Sequence, residues 1–265
     1  MRALLLALLL VVPGLAHAGE VELPAGDEVV RRVNQRDDGR WVSRTMAMEL
    51  TEKDGSVRAR LTRSFRRDFG DGRRSVVFFE DPPNLKGTAL LSFDYAEPKR
   101  QDDQWLYLPE LRRSRRIATS ERGRAFLGTD FSYDDMRKET KLSPYDYRWR
   151  TVGTEEVDGR PCWVLEATAV DDATARELGY GRLRVRIDAE LWLPRLAEYW
   201  TPAGELLKTI RLTGIEAVQG IWTPHRVEAA AASGHRTALT FRDIDYQHEV
   251  PEGLFDESAL AHGPP

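Results

Sequence analysis

Cysteine is almost absent from this chain: Cys162 stands alone among 265 residues. One thiol makes no intramolecular disulfide, so the fold must be held by burial and backbone pairing. Cys162 sits in Pro161-Cys162-Trp163-Val164-Leu165 and reads as a small buried apolar residue. Histidine is scarce too. Beyond His17 there are only His225, His235, His248 and His262, too scattered to suggest a metal cluster. No Gly-x-Ser-x-Gly elbow, no His-Glu-x-x-His and no EF-hand loop occurs. The acidic pairs Asp102-Asp103 and Asp171-Asp172 fit turns or the surface. Catalysis, metal and cofactor chemistry therefore have little to stand on. No strong charge of one sign exists either: the formal net charge is −4, which argues against nucleic acid as the main partner. Long apolar runs are missing outside the N-terminus.

That N-terminus has the form of an export signal. Arg2 is followed by an apolar run over residues 3–12 and by Ala16-His17-Ala18, an A-x-A cleavage pattern. The run is too short to span a bilayer. Cleavage after Ala18 is expected, placing the chain in the periplasm and leaving residues 19–265 as one domain. Removing residues 1–18 takes away only Arg2 among the charges, so −4 becomes −5. No cysteine follows the cleavage point to carry a lipid anchor.

What is abundant is alternation. Val57 to Phe69 puts Val57, Ala59, Leu61, Phe65 and Phe69 on one face and Arg58, Arg60, Thr62, Ser64 and Arg66 on the other. Arg182 to Asp188 alternates as cleanly, with Leu183, Val185 and Ile187 against three arginines. Turn signals such as Lys53-Asp54-Gly55, Asp71-Gly72 and Asp158-Gly159 separate such runs. About eleven strands are expected in an antiparallel meander, with two or three short helices. One helix is expected over 27–35, where Val29, Val30 and Val33 share a face. Another starts at Ser132, which with Asp135 makes a capping-box pair; Asp134 and Asp135 suit the positive end of the helix dipole. Residues 171–178 read as a short helix or a loop. The tail Val250-Pro251-Glu252-Gly253-Leu254-Phe255 looks docked by its aromatic.

Such strands have one oily face that must be covered. A barrel, a two-sheet sandwich or one curved sheet capped by helices would each do so. The inward set expected from the alternation is Leu61, Phe65, Phe78, Leu106, Leu108, Trp149, Trp163, Leu165, Val185, Ile187, Leu239 and Phe241. A few short helices cannot fill a wide concavity, so an apolar cavity for an oily cargo is expected. A fully packed sandwich is the alternative. Arg63 interrupts the inward set and would point inside, where an unpaired charge is costly. It is expected to meet a carbonyl or acid of a covering helix, or a lipid headgroup. The run Arg112, Arg113, Arg115 and Arg116 reads as a solvated strand edge, or as a docking patch for anionic headgroups or an acidic partner.

The stretch Trp105-Leu106-Tyr107-Leu108-Pro109, then Arg112-Arg113-Ser114-Arg115-Arg116-Ile117, then Gly128-Thr129-Asp130-Phe131-Ser132-Tyr133-Asp134-Asp135 resembles the outer-membrane lipoprotein-sorting-protein-like family, relatives of the periplasmic carrier LolA. The tail over 250–255 resembles that family's ending. The resemblance covers most of the mature chain and marks an uncharacterised branch. It implies an incomplete, unclosed β-barrel with helices over a hydrophobic concave face. It implies a soluble carrier that shields acyl chains of a lipid or lipoprotein between inner and outer membranes; a monomer that needs no cofactor and is not an enzyme is expected. An inner-membrane exporter of the resistance-nodulation-division type is the implied partner, with transient membrane contact. Phe131 and Tyr133 fall in the implied lid or partner-docking region. The family's lid-holding arginine corresponds to one of Arg58, Arg60 and Arg63. A periplasmic scaffold without lipid cargo is the rival reading, and an enzyme acting on lipid or sugar the more distant one.

Overall fold

Strand alternation and tight turns settle most of the architecture. The computed structural model describes residues 22–97 and 100–264; the export signal expected over 1–18 lies outside the described residues. Thirteen strands form, two more than the number expected: β1 (Trp41–Thr51), β2 (Val57–Phe69), β3 (Gly72–Asp81), β4 (Ala89–Tyr95), β5 (Asp103–Leu108), β6 (Arg113–Arg116), β7 (Tyr147–Val157), β8 (Arg160–Ala169), β9 (Arg182–Asp188), β10 (Pro194–Trp200), β11 (Leu206–Val218), β12 (Ile221–Ala231) and β13 (Arg236–Asp245). The helices are α1 (Gly26–Gln35), α2 (Tyr133–Lys138) and α3 (Asp172–Leu178).

All strands join one sheet in the order β6-β5-β4-β3-β2-β1-β13-β12-β11-β10-β9-β8-β7. Every neighbouring pair is antiparallel. Every pair in the sheet joins chain neighbours except at the centre, where β1 meets β13 and joins two meanders, β1–β6 and β7–β13. β6 and β7 are the outer strands, so the sheet is an unclosed barrel. The turn Asp158-Gly159 shows how local chemistry sets register. Both residues have positive φ, 52° and 72°, which matches the twist of the flanking strands.

The concave face is covered twice. α1 lays Val29, Val30 and Val33 onto Trp149, Leu165, Val185 and Ile187 of β7–β9. It comes so close that a Cβ on Gly26 would lie 2.6 Å from the Trp149 carbonyl carbon, so only glycine fits. The connection from β6 to β7, residues 117–146, carries α2 across the rest. Its Phe126, Phe131 and Tyr133 pack with Met46, Met48, Phe79, Leu106, Leu239 and Phe241. Ser132 caps α2 as anticipated, accepting from the Asp135 N–H while the Asp135 carboxylate accepts from the Ser132 N–H. Asp171 caps α3 through the Thr174 N–H.

A third cover lies on the convex side and changes how β2 is read. The C-terminal segment packs Val250, Leu254, Phe255 and Leu260 against Phe65, Val76, Phe78, Ala89, Leu91 and Tyr107. Phe65 and Phe78 thus face outward into this layer, not into the barrel. Leu61 shares their face and is 37% exposed. The expectation that these three point inward is corrected: the oily side of β2 belongs to the tail, and its Arg60, Thr62, Ser64 and Arg66 side belongs to the interior. Arg63 moves with them. It lies on the convex side beside the Phe65 ring, 5.7 Å from its centre, with Glu80 at 3.8 Å.

Candidate lipid-binding cavity

Between the two concave covers lies a cavity of about 120 Å³. Its apolar wall comes from mid-strand residues of both meanders, among them Met46, Val77, Val185, Ile210, Leu212, Leu239 and Phe241. Phe131 and Met136 close it from the α2 side, and Leu142 from the chain just beyond. Of the residues expected on the cavity wall, Val185, Leu239 and Phe241 lie there. Trp149, Trp163, Leu165 and Ile187 lie in the layer under α1. Leu106 and Leu108 lie under Phe126 and Phe131.

The mouth is charged. Asp38 lies between Arg66 at 3.0 Å, Arg73 at 2.8 Å and Lys141 at 3.1 Å. Burial pushes the Asp38 carboxyl up, but these cations outweigh it and hold the group far below the ordinary carboxylate range. Lys141 is lowered to about 8, because burial disfavours its charge more than Asp38 favours it. Arg44 lies over the Phe241 ring at 4.2 Å and pairs with Glu139 at 2.5 Å. Glu139 ends α2 with a φ of 51°. Its carboxyl is lowered despite burial, chiefly by Arg44.

Further polar ties hold the cover down. Arg60, not Arg63, reaches the covering segment: its Nη2 donates to the Leu127 carbonyl at 2.9 Å. Lys208 donates to the Asp130 carbonyl at 2.8 Å and pairs with Asp135 at 2.5 Å. Gln104 donates to the Tyr133 carbonyl at 2.9 Å. Arg137 on α2 pairs with Asp134, Asp94 and Asp102. Sequence reasoning missed Arg44, Glu139, Lys208 and Asp38. Their one visible signal was a charge on the otherwise apolar face of a strand, as at Arg44 and Lys208.

Arg112 takes a left-handed turn (φ 48°) after Leu111, and Arg113, Arg115 and Arg116 form the exposed edge strand β6. Arg115 pairs with Glu121 and Arg116 with Asp103. No group of His, Cys, Asp and Glu among the described residues is placed to hold a metal. The histidines lie apart, His225 on the Gly214 carbonyl, His235 on Glu52 and His248 on Asp245. Burial pushes the Cys162 thiol up to about 11, which disfavours its thiolate near neutral pH. The arrangement suits enclosure of an apolar group.

Comparison with known proteins agrees with that geometry. A family model described as an uncharacterised protein matches residues 71–262. The chain belongs to that family. Its fold is that of the LolA-like, outer-membrane lipoprotein-sorting proteins. A domain described as an outer membrane lipoprotein-sorting protein, from Vibrio parahaemolyticus, is 28% identical with a TM-score of 0.80, covering 89% of this chain and 98% of its own. A protein of a family of unknown function from Desulfovibrio piger is 25% identical with a TM-score of 0.80, over 89% and 97% of the two chains. A LolA superfamily protein from Nitrosomonas europaea shares the fold at 19% identity and a TM-score of 0.66, over 88% and 98%. No curated protein matches this LolA-like chain.

Proposed function

We propose that this LolA-like protein is a periplasmic carrier that binds the acyl chains of a lipid or lipoprotein inside its unclosed barrel and shuttles them between inner and outer membranes. The observation that carries the reading is the apolar cavity under a cover held by polar ties. Likeness to a lipoprotein-sorting domain over nearly the whole chain supports it. An inner-membrane exporter of the resistance-nodulation-division type is the partner this reading calls for.

Volume sets the mechanism. Pockets that hold small ligands span roughly 300–1,000 Å³, and this cavity measures about 120 Å³. On this reading the cover is closed over a cavity too small for a tail, and a tail enters when the α2 segment lifts. Each buried methylene contributes about 0.8 kcal/mol, so ten contribute about 8 kcal/mol. That exceeds the ~1.5–3 kcal/mol of a charged hydrogen bond such as Arg44–Glu139. In water the cavity can thus hold a tail even at the loss of several ties, and release follows when a membrane or partner offers the tail a competing apolar site.

Two measurements test this. Protein isolated from its native periplasm is extracted and its lipids identified by mass spectrometry. In parallel, a fluorescent acyl probe is titrated into the lipid-stripped protein. Saturable probe binding, weakened by Leu239→Glu in the cavity wall, is expected. A protein that neither carries lipid nor binds any acyl probe is a scaffold and not a carrier.

A further inference from the structure

A second space in the molecule is not apolar. The β2–β3 turn with residues 94–97 and 100–102 stands on one side of it, and residues 141–146 with α3 on the other. Between them lies a solvent-open cleft of about 670 Å³. Six cationic side chains line it, among them Arg73, Arg100, Arg137 and Lys141, and six carboxylates, among them Asp94, Glu97, Asp102 and Asp146. Its formal charge is zero. Lys138, Lys141 and Leu142 line both this cleft and the apolar cavity, so one short segment divides the two spaces. Arg122 and Arg137 keep buried Nε donors that meet no acceptor.

We propose that the cleft is the headgroup subsite of the amphiphile whose tails enter the cavity, and that it takes a zwitterionic head carrying a phosphate and an amine. This rests on the carrier reading and adds the chemical class of the cargo. A purely anionic head brings a charge that the balanced cleft does not neutralise. An uncharged head has nothing to exchange with the ion pairs that line the cleft. A zwitterion exchanges with ion pairs already present. Its phosphate takes the place of a carboxylate at Lys138 or joins Lys141, and its ammonium takes up Asp146, the carboxylate set free in the cleft, while Asp38 outside it keeps Arg66 and Arg73. The pairs at stake are Lys141–Asp38 at 3.1 Å and Lys138–Asp146 at 2.9 Å, which tie down the dividing segment. Exchange there loosens the segment that separates head from tails, so recognising the head opens the way for the chains.

The test uses the mature chain and three probes: dihexanoyl phosphatidylethanolamine, dihexanoyl phosphatidylglycerol and chain-free glycerophosphoethanolamine. Affinities come from displacement of the acyl probe and from calorimetry. The ethanolamine lipid is expected to bind about tenfold more tightly than the glycerol lipid, a ratio that reports the charged head alone. Glu97 is exposed, and Glu97→Lys is expected to pull that ratio toward or below parity without altering thermal stability. The chain-free head is expected to bind weakly but saturably in calorimetry. Equal affinity for the two lipids, unchanged in Glu97→Lys, overturns the headgroup subsite while leaving the tail cavity standing. Failure of both lipids to displace the probe overturns the cavity and the subsite together.

Discussion

The two covers of the concave face are built differently. α1 is held to the sheet by packing: Val29, Val30 and Val33 are at most 2% exposed, and its Asn34 is bonded to Leu142 and Lys141 of the other cover, not to the sheet. Its glycine N-terminus sits on the β7 backbone, and its ion pairs, Glu28 with Arg31 and Arg32, stay within the helix. The α2 segment is also seated on aromatics, but it is fastened by directed bonds to Arg44, Arg60, Gln104 and Lys208 of the sheet. Packing is non-directional and has no partner that a ligand or proton can replace. Ion pairs and carbonyl contacts do, and they can be exchanged one at a time. The α1 cover is therefore the fixed wall of the cavity and the α2 segment its door.

That contrast can be broken at either end. The largest effect is expected at the fixed wall. Val33→Asp places an unpaired charge in a fully buried site and is expected to cost about 4 kcal/mol or more, read as a collapse of the thermal midpoint. Next comes Arg137→Met. Arg137 and Asp134 are both buried, and removing one partner of a buried pair costs about 3–5 kcal/mol in chemical denaturation. Arg44→Met is expected to cost less, about 1–3 kcal/mol, but to speed acyl-probe binding by freeing Glu139. If Arg44→Met slows the probe instead, Arg44 belongs to the binding wall and not to the fastening.

Acid should separate the covers without mutation. The carboxyls of Asp38, Asp134 and Glu139 all titrate below their ordinary values of 3.8, 3.8 and 4.5. Such a group stabilises the fold fully above its unfolded pKa and loses that contribution as the pH falls through its folded one. Amides of the α2 segment should therefore lose protection below about pH 4, together with those of residues 36–40, where Asp38 pairs with Arg66 and Arg73 of the sheet, before those inside α1, whose Glu28 pairs only within the helix. The smallest effect is expected at β6, where Arg116→Ala on an exposed pair should leave the thermal midpoint unchanged.

Much of this was legible in the chain. The strands announced themselves by alternation, α2 by Ser132 and Asp135, α1 by its three valines. The side of β2 that faces inward was not legible. Alternation tells which residues share a face but not which face looks in, and the oily face of β2 is claimed by Phe255 and its neighbours almost two hundred positions away. A clue was present in β3, where Val76, Val77, Phe78 and Phe79 run without a polar break. Such a strand is buried on both sides, as this one is. The door's fastenings escaped notice for a different reason. Arg44 pairs with Glu139 and Lys208 with Asp135 across long sequence distances, and no local pattern records which charge meets which.

Hydrogen–deuterium exchange with and without a bound acyl chain puts the central claim to its most direct test. In the free protein, residues 126–142 should exchange faster than residues 26–35, and acyl binding should change exchange in the first segment while leaving the second as it was. Acyl binding that altered 26–35 alone, or left both segments untouched, would contradict the account.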